Sequence, residues 1–152
     1  MTTNACTLDH AVRPIDTTAA DLARDAELGT LPSASWNHWT FLLVTTHLVR
    51  EAGGADALKR LRSIASPRGV PPSDRTDGRP HETLLVFYVW AVDRLLTAGL
   101  STSEVLWHPL VDVGSPLAWY HASTLDSALA RRTFVGSDRA LAGEPAPRLP
   151  RR

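Results

Sequence analysis

The sequence predicts an all-α, single-domain bundle of about six helices. Three observations lead there: apolar residues recur at helical spacing, N-capping patterns open successive segments, and no period-two alternation suggests a strand. A chain of 152 residues is also long enough to bury one continuous core.

Residues 1–16 carry no periodic pattern and read as a flexible tail, with the helical domain spanning 17–136. Thr18-Ala-Ala-Asp21 has the spacing of a helix N-cap and opens a short helix that stops at Gly29. Ser33 or Ser35 is the expected cap of a second helix running to about Ala52 before Gly53-Gly54. That helix is apolar around most of its circumference, which suits either a buried position or a homodimer interface. On it His38, Leu42, Thr45 and Val49 share one stripe, while Trp36, Trp39, Leu43 and His47 lie on another.

A third, amphipathic helix follows at residues 55–66, with Leu58, Leu61 and Ile64 inward. The Pro- and Gly-rich stretch 67–80 reads as a disordered segment or a lid. The fourth helix covers residues 81–98 and carries His81, Leu84, Leu85, Tyr88, Val92 and Leu95 on one stripe. Ser101-Thr-Ser-Glu104 is a capping box for a short helix ending at His108-Pro109. Ser115-Pro116 predicts another helix start leading through Trp119 and Tyr120, and Ser123 caps a last helix reaching Phe134. Residues 137–152 read as a C-terminal tail.

Bulk properties exclude several function classes. Sixteen basic residues balance sixteen acidic ones, which argues against the clustered basic face of a nucleic-acid binder. The single cysteine, Cys6, rules out an internal disulfide and a Cys-based zinc cluster. Residues 1–16 lack a secretory leader, and the apolar run from Leu84 is interrupted by Asp93 and Arg94, too early to span a bilayer. A soluble, cytoplasmic protein without a membrane partner is expected. No Gly-rich phosphate loop, His-Glu-x-x-His pair or Gly-x-Ser-x-Gly elbow is present, which disfavours kinase-type, zincin and serine-hydrolase chemistry.

The chemistry concentrates at Pro80-His81-Glu82-Thr83, where a polar cluster meets the longest apolar segment. If the second and fourth helices pack side by side, His38 and His81 converge. Two imidazoles with Glu82 can run general acid–base chemistry, or form a His-His-carboxylate set in which His38 and His81 hold a metal ion. Trp36, Trp39, Phe41, Tyr88, Tyr120 and His121 are the candidate lining of a substrate pocket. His10, His47 and His108 are assigned no function.

Trp36-Asn37-His38-Trp39-Thr40-Phe41-Leu42 resembles the Phe-Thr-His-x-x-His-Leu motif of a family of small, largely uncharacterised bacterial all-helical proteins. Pro80-His81-Glu82-Thr83-Leu84-Leu85 resembles that family's Tyr-His-Glu-Thr-x-Thr motif. Pro109-Leu110, Tyr120-His121, Ser127-Ala-Leu-Ala130-Arg131 and Phe134-Val-Gly-Ser-Asp138 follow its C-terminal pattern. The family's first motif offers two histidines one turn apart. Here Phe41 takes the second position, Trp39 stands where an acid is frequent, and His121 replaces a serine. The resemblance implies that His81-Glu82-Thr83 retains a use, and the loss at Phe41 favours chemistry without a cofactor.

The resulting expectation is a small bacterial enzyme of specialised biosynthesis acting on an organic metabolite. Non-redox proton transfer by His38, His81 and Glu82 would drive a cyclisation, isomerisation or elimination. The alternatives are a non-catalytic ligand- or partner-binding module and a mononuclear metal enzyme.

Overall fold

Pro14 sets where the first helix begins, because its ring fixes φ at −53° while a ψ of 137° keeps it outside the helix. In the computed structural model, which describes residues 14–65 and 80–151, α1 is Ile15–Leu28. The expected tail before Pro14 and the expected loop up to Arg79 lie outside the described residues. Thr18 is not the cap: it sits one turn inside, its hydroxyl donating to the Pro14 carbonyl at 3.5 Å. Asp16 in the first turn complements the helix dipole and draws the start forward. Gly29 ends the helix in the left-handed conformation, φ 76°.

Ser33–Ser35 form a single 3-10 turn after Pro32, so neither serine caps α2 (His38–Ala65). Asn37 does, its side-chain oxygen accepting the Thr40 amide at 2.9 Å. Trp36 consequently lies outside the helix. Within α2, Gly53 has φ 80° and ψ 166°, a conformation open almost only to glycine, and the axis breaks there. Arg60 bonds Glu51 at 2.6 Å, whereas nine residues of straight helix would separate them by about 13 Å. Both halves return toward the same end of the next helix: His38 meets Tyr88, and Arg62 meets Glu82. The Gly53-Gly54 boundary expected between two helices is thus where one chain of helix doubles back.

α3 (Glu82–Thr97) is the central element, buried almost throughout from Leu85 to Val92. α4 (Thr102–Leu106) carries the expected capping box, Ser101 with Glu104. Beyond it the chain has little regular structure. Pro109–Val111 and Ser115–Ala118 are single 3-10 turns, so the helix expected through Tyr120 closes at Trp119. The last expected helix splits into α5 (Ala122–Leu125) and α6 (Ala128–Arg132), and Ser127 rather than Ser123 caps α6, accepting the Ala130 amide at 3.1 Å.

The described residues contain six α-helices and no strand, an all-α single-domain bundle. None of these helices is long and apolar enough to cross a membrane. An aromatic seam runs through the core, with Phe87 against Trp90 at 5.6 Å and Trp90 edge-on to Trp119 at 5.4 Å. The irregular segment 137–151 packs on this body: Arg139 donates to the Trp119 carbonyl at 3.0 Å, Glu144 pairs with Arg94, and Pro147 is buried.

Candidate functional site

His81, Glu82 and Thr83 are consecutive, yet their side chains reach three different parts of the fold. His81 is the N-cap of α3, and its Nδ1 accepts the Leu84 amide at 3.3 Å. An acceptor nitrogen bears no proton, so the hydrogen is on Nε2, which donates to the Leu125 carbonyl of α5 at 2.8 Å. The ring is 5 % exposed and both nitrogens are used. Glu82 pairs with Arg62 of α2, whose Nε lies 3.0 Å from its carboxylate. Thr83 is fully buried, donates to the Thr133 carbonyl at 3.0 Å and accepts the Val135 amide at 3.1 Å.

His38 lies at the first turn of α2, half-buried, with Nε2 donating to the Val111 carbonyl at 2.7 Å. Its ring stands edge-on to Tyr88 at 5.0 Å and 6.4 Å from Phe41, which is itself 5.9 Å from Tyr88. These three expected site residues do come together. His81 is not among them: Tyr88 follows it by seven residues on α3, about 10 Å along the axis. The two histidines bond separate carbonyls, and Glu82 is directed to Arg62. Among the described residues, no group of three or more His, Cys, Asp or Glu converges as a metal-ligand set.

The remaining candidates divide between core and surface. The Tyr88 hydroxyl donates to the carbonyls of Asp112 and Val113 at 3.1 and 3.2 Å, and burial pushes its phenol well above the ordinary range. Tyr120 is buried, donates to the Val135 carbonyl at 3.0 Å, and is pushed up to about 12 by burial and then by Asp138. Trp36 is buried with its indole N–H unpaired among the described residues. Trp39 is on the surface, 5.2 Å from the exposed Trp107. His121 is exposed and accepts from Arg139 at 3.1 Å, while Asp138 takes its backbone amide at 2.8 Å.

A common feature links most of these groups. His38, His81, Thr83, Tyr88 and Tyr120 all donate to main-chain carbonyls between residues 111 and 135. That region has only short helices and 3-10 turns, so many of its carbonyls lack the partner a long helix supplies, and side chains meet the need. Sequence periodicity brings His81 to the buried face, but the carbonyls it serves leave no sequence signal.

Several pockets open among the described residues, and four of them are lined without His38, His81 or Glu82. One of about 580 Å³ lies between the end of α3 and the 3-10 turns, and His108, to which sequence reasoning gave no role, lines it. Comparison with known protein families, with characterised proteins and with solved structures finds no match.

Proposed function

We propose that this chain works by holding a small organic molecule without converting it, and that the residues of its two motifs serve the frame. The observation that carries this reading is the three-way clasp at His81-Glu82-Thr83, in which every polar side-chain group is bonded into the fold. A general acid or base needs a nitrogen or oxygen free to meet its substrate, and His81 has none. The bacterial setting implied by the motif resemblance and the cytoplasmic location expected from the sequence go with this reading, and its partner is a small molecule rather than a nucleic acid.

A specific observation favours a second reading. His38 donates from Nε2 to the Val111 carbonyl, which leaves Nδ1 with a lone pair and no partner among the described residues. A histidine oriented by one nitrogen and open at the other has the arrangement of a general base. Here the chemistry would rest on His38 alone, with Tyr88 shaping its surroundings.

Incubation with a small-molecule extract of bacteria, followed by mass spectrometry of retained and released compounds, separates the two. Retention of unaltered compounds, equal in wild type and His38→Ala, supports binding. A product formed by wild type and missing with His38→Ala would establish the second reading and overturn the first.

A further inference from the structure

The pocket of about 580 Å³ lies within the size range of small-molecule sites and has a largely apolar wall. Leu95 and Ala98 at the end of α3, with Leu100, form one side; Leu110, Ala118 and Trp119 form the other. Trp119 is buried and stands edge-on to Trp90 at 5.4 Å. The irregular C-terminal segment supplies the third side through Leu141 and Glu144.

Two features select what could occupy it. The charged groups at the rim, Arg94 and Glu144, pair with each other, so a charged ligand would find no uncompensated opposite charge. Moving an ion into an apolar pocket without such a partner is unfavourable. Of the neutral polar side chains on the wall, Ser115 spends its hydroxyl hydrogen on the Leu110 carbonyl at 2.7 Å, which leaves His108 as the donor. His108 Nδ1 accepts the Leu110 amide at 3.1 Å, which places the ring hydrogen on Nε2. Nε2 has no partner among the described residues. The pocket of about 620 Å³ between α1 and α2 is different, because besides the paired Glu27 and Arg60 it carries Asp56 and Lys59, charged groups with no ion pair among the described residues.

We infer that the cleft between Trp119, Leu110 and Leu141 binds a neutral, planar organic molecule carrying one hydrogen-bond acceptor, which His108 Nε2–H engages. This rests on the binding reading above and adds the place and class of the ligand. An aromatic or heteroaromatic carbonyl compound fits that description: its ring meets the leucines and Trp119, and its oxygen meets the imidazole.

Coumarin, naphthalene and 1-naphthoate are suitable probes, since all three are flat bicyclic molecules of similar size. Titrated into the full chain and followed by ¹H–¹⁵N spectra, coumarin should saturably shift the Trp119 indole and the Leu110 amide. Naphthalene, which lacks the acceptor, should bind about tenfold more weakly, the factor one hydrogen bond confers, and 1-naphthoate no better than naphthalene. His108→Asn keeps an acceptor for the Leu110 amide and should bring coumarin down to the level of naphthalene. Ala118→Trp fills the cleft at an exposed position and should abolish binding; Leu141→Trp fills it from the opposite wall should the first variant not fold. Coumarin shifts confined to other surfaces, binding undiminished in a folded cleft-filling variant, or tightest binding by 1-naphthoate would each overturn the proposal. The general binding reading fails separately, if extract compounds are converted rather than retained; extract compounds still retained by Ala118→Trp would leave that reading standing and sink this site.

Discussion

At position 81 a histidine fills a place usually taken by serine, threonine, asparagine or aspartate. As the N-cap it satisfies one of the orphan amides at the start of α3, and its second nitrogen ties that helix to α5. Replacement by asparagine preserves a good cap and loses the cross-link, whereas alanine loses both and strands a buried carbonyl. His81→Ala should therefore cost about 2–3 kcal/mol and His81→Asn about 1 kcal/mol, read from urea denaturation. Equal losses would mean that the cap contributes nothing. Phe41 answers a question the resemblance raises at this scale. At 1 % exposure it packs its ring against both His38 and Tyr88, so the position that holds histidine in the motif it resembles is here part of the apolar core. Periodicity made the burial of His81 legible. Its partners were not, because a main-chain carbonyl forty-four residues away carries no residue-type signal.

The element that shapes the fold most is α2. Its two halves, residues 38–52 and 54–65, were readable as separate helices because Gly53-Gly54 interrupts the apolar pattern. What the pattern did not contain is the angle between them. That follows from the positive φ of Gly53 and from the packing of both halves on α3. Gly53→Ala meets no steric neighbour, yet should destabilise by about 1–3 kcal/mol because the backbone conformation itself excludes a side chain. At Gly54 the reason is different: an added Cβ would lie 3.0 Å from Pro150 and 3.4 Å from Asp93. Gly54→Ala should thus loosen the C-terminal segment, detected as faster amide exchange around Leu149. A Gly53→Ala variant as stable as wild type would contradict the account of the hinge. The cap errors belong to this scale too. Thr18, Ser33 and Ser123 have suitable side chains, but competing starts at Pro14, Asn37 and Ser127 fit the tertiary path and prevail.

Across the molecule, α1 is fastened by carboxylates at both ends. Asp16 bonds Arg50 of α2 at 2.8 Å and Thr102 of α4, and Glu27 bonds Arg60 at 2.5 Å. The Thr102 hydrogen bond and then Arg50 hold the Asp16 carboxyl below its usual value of 3.8; Arg60 holds Glu27 below 4.5. A depressed value in the folded state means stability that is present above the ordinary value and lost as pH falls through the folded one. Asp93, raised by burial, has the opposite sign and gains on acidification. Below about pH 4.5 the α1 resonances should therefore weaken or shift before those of α3. Because both carboxylates are partly exposed, the effect of each is modest and screened by salt. The variant Asp16→Asn/Glu27→Gln should be less stable than wild type at neutral pH and should lose less on acidification. An identical pH profile for variant and wild type would count against this fastening.

The sequence by itself determined the all-α class, the position of most helices, the break at Gly53-Gly54 and the buried face of α3, because these rest on local periodicity and backbone preference. It also identified His38 and His81 as unusual polar residues near a core. Only the tertiary structure decided what they do. Hydrogen bonding is obligatory for buried polar groups, and the partner is whichever carbonyl the fold brings within 3 Å. For these histidines the partners are Val111 and Leu125, on an irregular half of the chain whose own turns leave those carbonyls open.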